Sequence, residues 1–348
     1  MKHNGTALFL IATLTFMITL PITALAEITL RYTDHEPYGN MRTRVIKEVF
    51  FQEIEKESQG RLKIDAHWNG ETSTSYDALN TLALGTKADM GIVVPEYTAK
   101  LLPRFQIFKS FPVGPASGTA QVAFFDRIFK EYPQFNAELA RNNLINLQFF
   151  LGYPAGFFTT QPNVRLDHLN GTKWRTASFW HQAFLRHAGG IPLTMPWNSQ
   201  ITDALRQGQL DGLLVNLDSA WDIHAQRAAT YLQYSPSLWL GHVYLLVMNK
   251  GTWDALDEQD KSAIQRAALT TEKKLGASLD EGLASLTSEM TKEGAKLHLM
   301  TQEELNRWQS ATRYQQVQAE WVKQQESQGV TDAGLLMQAV STRLTGQE

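Results

Sequence analysis

The 348-residue chain contains no cysteine. This excludes thiolate nucleophiles, Cys-ligated zinc, iron–sulfur clusters and any disulfide framework. An excess of charge of one sign is also missing, because Lys+Arg 32 against Asp+Glu 35 leaves a formal net charge of −3. No Lys/Arg block could track a phosphate backbone, so nucleic acid is not an expected partner. The common catalytic signatures are absent: there is no G-x-S-x-G elbow, G-x-G-x-x-G turn, Walker loop or H-E-x-x-H. His35-Glu36 lacks a second histidine at helical spacing. His181 and His187 are six residues apart, about 600° around a helix, and so face different sides. The residues therefore call for no enzyme, no metal and no cofactor. What remains, 43% hydrophobic and 19% charged, is ordinary for a globular fold of about two domains.

The N-terminus carries one apolar run, Ala7 to Leu20, behind Lys2 and ahead of Pro21 and Ala24-Leu25-Ala26. That order is expected of a secretory signal peptide cleaved after Ala26. The run is short of the ~20 residues that a permanent membrane helix needs, and no later stretch is long and apolar enough. An exported, periplasmic protein is the expectation.

From Glu27 onward, short strands alternate with helices. Ile28 to Tyr32 alternates apolar and polar residues as a strand does. Val45, Ile46, Val49, Phe50 and Ile54 recur at helical spacing. Leu62 to Trp68 reads as a strand, Tyr76 to Leu84 as a helix stopped by Gly85, and Met90 to Val94 as a strand. After a less regular middle the pattern resumes. Leu144 to Leu151, Thr172 to Ala177, Ile191 to Met195 and Gly212 to Val215 read as strands; Trp180 to Ala188 and about Asn198 to Gln207 read as helices. This α/β alternation predicts parallel sheets covered by helices. A recurring helix–Gly–Asp–strand connection, at Leu84 to Met90 and Gln207 to Gly212, favours two similar lobes over one large sheet. After a strand at Val243 to Met248, a stripe from Ile264 to Met290 predicts a helix over 257–293, about 55 Å long if unbroken. Two helices divided near Gly276 or Gly282 are the alternative. Thr301 and Glu304 predict a capping box that opens a final helix carrying Trp308 and Trp321.

One cation stands out. Arg175 closes the segment Thr172-Lys173-Trp174-Arg175, at the carboxyl end of a strand, where ligands collect in open α/β sheets. A guanidinium there is costly to bury unless an anion meets it, and its planar fork matches a carboxylate. A protein Asp or Glu at the lobe surface would satisfy it equally well.

The sequence from Leu169 to Arg175, then Gly189-Gly190-Ile191-Pro192, then Ala204 to Gly212, resembles the DctP family, the periplasmic solute-binding proteins of TRAP transporters. Gly60 to Ile64 and Leu84 to Met90 support the resemblance, which covers essentially the whole chain after the leader. It implies a two-lobed α/β fold of the Venus-flytrap type, with a long domain-spanning helix and a helical C-terminus. Lobe 1 would comprise residues 27–154 plus about 243–283. Lobe 2 would comprise 155–242 plus about 284–348, and residues 1–26 would be the leader. An organic acid would sit between the lobes and be delivered to the small and large integral membrane subunits of the transporter. The resemblance implies that Arg175 salt-bridges the substrate carboxylate. The strand-end loops would supply the rest of the pocket: Tyr38, Trp68, Glu96, Phe157, Phe179, Asn216 and Trp239. The chain departs from the family pattern in three places. Phe157 stands where many members have a second arginine, Gln200-Ile201-Thr202 replaces an acidic and a tyrosine position, and Asn216 aligns only after a one-residue shift. With one fewer cation and several aromatic candidates, these departures point to a monocarboxylate or a bulkier organic acid, and a C4-dicarboxylate stays open beside a bulkier monocarboxylate. A monomer is expected, since nothing on the long helix forces dimerisation. The rival readings are the binding protein of an ATP-dependent transporter, which would lack the long helix, and a secreted α/β enzyme that turns over a small acid.

Overall fold

The structure, a computed structural model, describes residues 27–345 apart from Pro196. The expected leader lies outside the described residues. Two mixed sheets carry the fold. The first has the order β2 (Leu62–His67), β1 (Ile28–Thr33), β3 (Met90–Val93), β10 (Val243–Asn249), β4 (Leu144–Leu151). The second runs β11 (Lys296–Leu299), β9 (Tyr231–Tyr234), β5 (Ala155–Thr159), β8 (Gly212–Asn216), β6 (Lys173–Arg175), β7 (Ile191–Leu193). The expected all-parallel sheets are therefore corrected. β10 runs antiparallel to both β3 and β4, and β5 runs antiparallel to both β8 and β9. The cause is connectivity. The chain leaves the first sheet after β4, builds most of the second, and returns as β10, so the two strands at the crossings enter against the grain of their sheets. β10 is buried along all of its length, which is why VYLLVMN reads as one apolar run.

The helix over Glu258–Lys292 is continuous, 35 residues and about 52 Å long, and Asp257 caps it by accepting from the Asp260 amide at 2.7 Å. It packs on helices of the first sheet and reaches β11 and the helix Leu217–Asp222 of the second. Gly276 and Gly282 are not breaks. A Cβ on Gly276 would lie 2.7 Å from the Thr119 Cα, and a Cβ on Gly282 would meet the Tyr153 hydroxyl. These glycines let a neighbouring helix and the first crossing segment approach the rod closely.

Beneath the first sheet, Phe105, Phe108, Phe125, Phe129, Phe135 and Phe149 form one aromatic core. The capping box of Thr301 and Glu304 is present. The expected single final helix is instead two, Gln302–Thr312 and Tyr314–Ser327, divided at Arg313 with φ 49°. The turn lets Trp308 pack on Phe157 and Trp321 on Trp180. The last helix, Ala333–Thr345, returns to the first half, where Asp332 pairs with Arg104 at 2.6 Å.

Candidate functional site

β6 and β8 run parallel, with Arg175 opposite Leu213, so Arg175 and Asn216 both stand at the carboxyl-end edge of the second sheet. Arg175 is 5% exposed. Its Nε and Nη2 donate to the Met195 carbonyl at 3.3 and 3.1 Å, and its guanidinium lies 4.7 Å from the centre of the Trp197 ring. Among the described residues no carboxylate lies within ion-pairing distance of it. Burial lowers its pKa, and the Tyr97 hydroxyl and Glu96 offset this only in part. Tyr97 and Glu96 belong to the 3-10 turn Pro95–Thr98 that follows β3. The guanidinium thus sits where the two halves of the molecule meet, with its charge unmatched.

The facing wall is charged but internally paired. The Lys109 ammonium binds Glu96 at 2.7 Å and approaches His242 Nδ1 at 3.2 Å. Burial pushes Glu96 up, but Lys109 and His242 more than reverse this and hold it well below the usual carboxylate range. Burial, reinforced by Lys109, depresses His242, and takes His181 down to about 3. At the end of β1, Arg42 forks onto Asp34 (2.7 and 3.1 Å), reaches Glu36 at 2.7 Å and lies 4.5 Å from the Tyr244 ring centre. The Tyr32 hydroxyl donates to Asp34 at 2.7 Å. Both carboxyls feel burial most, yet Arg42 brings each below its ordinary value.

The remaining sequence candidates divide. Glu96 faces Arg175, but as one half of an ion pair. Asn216 is buried and donates its amide to the Tyr153 carbonyl at 2.8 Å, tying β8 to the first crossing segment. Phe157 is corrected from cleft wall to core, since it lies between Trp174 and Trp308. Trp239 is likewise core: it stacks on Phe125 and donates its indole N–H to the Phe108 carbonyl at 2.7 Å. Trp68 packs among Tyr32, Tyr38 and Phe51. Tyr38 is 41% exposed and bonds Glu48, and Phe179 is 42% exposed and lies against Trp180. Nothing in the structure brings these last three to Arg175. The sequence reading missed Arg42, Lys109, Tyr97 and Tyr244, whose places here are set by tertiary contacts and carry no local signal. A separate hollow of about 410 Å³ lies between β9, β11 and the loop at 162–167, and the pairs Arg165–Asp167 and His298–Glu304 are part of its lining.

The family model described as bacterial extracellular solute-binding protein, family 7 (DctP), matches residues 39–324. A solute-binding protein of Chromohalobacter salexigens is 24% identical over 296 residues, covering 81% of this chain and 82% of its own. A TRAP periplasmic solute-binding protein from Desulfovibrio salexigens, solved as an open complex, superimposes with TM-score 0.78 at 20% identity, covering 93% of this chain and 97% of its own. DctP7 of Bordetella pertussis, an extracytoplasmic solute receptor binding pyroglutamic acid, gives 0.75 at 18% identity with coverages of 90% and 99%. A TRAP solute-binding protein of Rhodoferax ferrireducens, in complex with copurified benzoate, gives 0.77 at 21% with coverages of 92% and 98%. The two-sheet architecture with its long helix is the fold of these structures.

Proposed function

The chain belongs to bacterial extracellular solute-binding protein family 7, and from that membership we propose that it captures a small organic acid between its two halves, with Arg175 as the carboxylate anchor. The observation that carries this reading is a guanidinium 5% exposed at a sheet edge, with no carboxylate paired to it among the described residues. A ligand carboxylate supplies the missing anion. It accepts charge-assisted hydrogen bonds from the fork while the Trp197 ring backs the cation. The relatives' ligands fit this chemistry, because pyroglutamic acid and benzoate are both carboxylic acids.

The crossing segments at 152–154 and 235–242 are the elements about which the halves would close. Asn216 fastens the first to β8. At the second, Gly241 has φ +59°, and a Cβ there would meet the Phe108 carbonyl. Closure stabilised by a solute reflects only the extra affinity of the closed state. Export by the N-terminal leader, a monomeric state and delivery to the two TRAP membrane subunits complete the reading. A thermal-shift screen against organic acids tests it. An acid present at about 100 times its Kd adds about 2.7 kcal/mol of stability and raises the melting point by several degrees. No shift with any acid, at concentrations that saturate such proteins, would remove the reading.

A further inference from the structure

Arg175 is one pole of the cleft, and the other pole is acidic. Asp218 and Asp222 lie four residues apart, hence on one face of the helix Leu217–Asp222 that leaves the end of β8. The charge of Glu36, in the loop after β1, reaches both of them. The field of Asp218 also reaches the hydroxyls of Tyr153 and Tyr244, on the first crossing segment and on β10. Arg175 ends β6 and Asp218 follows the end of its parallel neighbour β8, so the basic and acidic poles stand at one edge of the second sheet; the charges of Arg175 and Glu36 both reach the Tyr97 hydroxyl.

Asp218 is half-buried and Asp222 exposed, but their setting differs from that of the paired carboxylates elsewhere in the fold. Asp34 has Arg42 at 2.7 Å, Glu96 has Lys109 at 2.7 Å, Asp260 has Arg61 at 2.8 Å and Glu138 has Arg104 at 2.8 Å. Asp218 Oδ1, by contrast, is cut off from solvent with no hydrogen-bond partner. Among the described residues neither Asp218 nor Asp222 pairs with a cation. The cation whose field reaches Asp222 is Arg42, which Asp34 and Glu36 already hold. A buried oxygen of Asp218 is left without a partner from the protein itself, at the same sheet edge as a buried cation that lacks its counter-charge.

Resting on the carboxylate reading above, we propose that the solute is zwitterionic, an amino-acid-like molecule whose carboxylate meets Arg175 and whose protonated nitrogen meets Asp218, with Asp222 and Glu36 behind it. Such a molecule neutralises both poles at once. A dicarboxylate would neutralise one and press a second negative charge against the other. Proton bookkeeping supports the assignment. Burial, then the charges of Glu36 and its neighbour, holds Asp218 at about 7, and burial, then Glu36, holds Asp222 at about 6. An ammonium at this place favours the ionised carboxylates, so binding near pH 6.5 releases protons.

Calorimetry on the exported form of the chain tests this with sets of four-, five- and six-carbon acids. Each set contains an amino acid, a hydroxy acid, a dicarboxylate and a plain monocarboxylate of equal length. In the set that fits, the amino acid binds at least tenfold tighter than the other three. Its titration in two buffers of different ionisation enthalpy shows proton release that the plain acid does not. Asp218→Asn shrinks the ratio between amino acid and plain acid at least tenfold. Asp222→Asn shrinks it in the same direction and serves as the readout if the first variant does not fold. A dicarboxylate or hydroxy acid at the head of its set, or an amine preference that survives both substitutions, overturns the zwitterion assignment and leaves the carboxylate anchor standing. Failure of every acid to bind overturns both.

Discussion

Arg42 and Arg175 are buried to nearly the same depth, 2% and 5% exposed, and each lies over an aromatic ring, at 4.5 Å from Tyr244 and 4.7 Å from Trp197. Their partners differ. Arg42 holds two carboxylates and, despite burial, its pKa is raised well above normal by Asp34 and Glu36. Arg175 holds one carbonyl, and burial lowers its pKa. A buried charge that the fold has paired is structure. One left unpaired at a sheet edge, in a solute-binding family, is the anchor we propose for a ligand. The same contrast separates Asp34, which has its arginine, from Asp218, which has none.

The largest test of this contrast is Arg42→Met set beside Arg175→Met in solute-free protein. Removing Arg42 strands Asp34 in the interior and should cost about 3–5 kcal/mol in urea unfolding. Removing Arg175 strands no carboxylate and should change stability by about 1 kcal/mol or less. Equal losses would erase the distinction between the two arginines. A double-mutant cycle sharpens it. Asp34→Asn combined with Arg42→Met should recover about 0.5–3 kcal/mol relative to additive behaviour, because the stranded charge is gone.

The pH dependence of stability separates the two aspartates. Asp218 titrates at about 7 in the fold, above its unfolded value, so its contribution is fully present at low pH and is lost as pH rises through 7. Asp34 is lowered by Arg42 in spite of burial, so its contribution is present above the unfolded carboxyl pKa and lost as pH falls below about 4. In unfolding series, the stability of Asp218→Asn relative to wild type should climb between pH 5 and 8, while the deficit of Asp34→Asn stays level there and closes only in acid. The buried histidines are common to all three proteins and cancel in these differences. A flat Asp218→Asn difference across that window would place Asp218 among the paired carboxylates.

Much of this arrangement was legible before any coordinates. Strands such as Leu144–Leu151 and the cap at Asp257 follow from local periodicity and side-chain chemistry, and they stand where the pattern puts them. Arg175 was legible because its strand and its position at the strand's end are both local features. β11 was not, because Lys296–Leu299 is short, mostly exposed and on a sheet edge, and so leaves almost no apolar signal. Aromatic identity alone could not separate wall from core. Trp239 has a polar N–H that would suit a ligand, but the backbone of Phe108 takes it. The pairing of Arg42 and the lack of a partner for Asp218 are tertiary facts. A charged residue's role depends on what is folded against it, and no spacing rule encodes that.

The most direct measurement is calorimetry of Arg175→Ala with whichever acid the wild-type chain binds. An unpaired, desolvated carboxylate should cost about 2–5 kcal/mol, a loss of affinity of roughly 30-fold to several thousand-fold, with the thermal unfolding of the solute-free variant little changed. Wild-type affinity in that variant would contradict the anchor and the capture mechanism built on it.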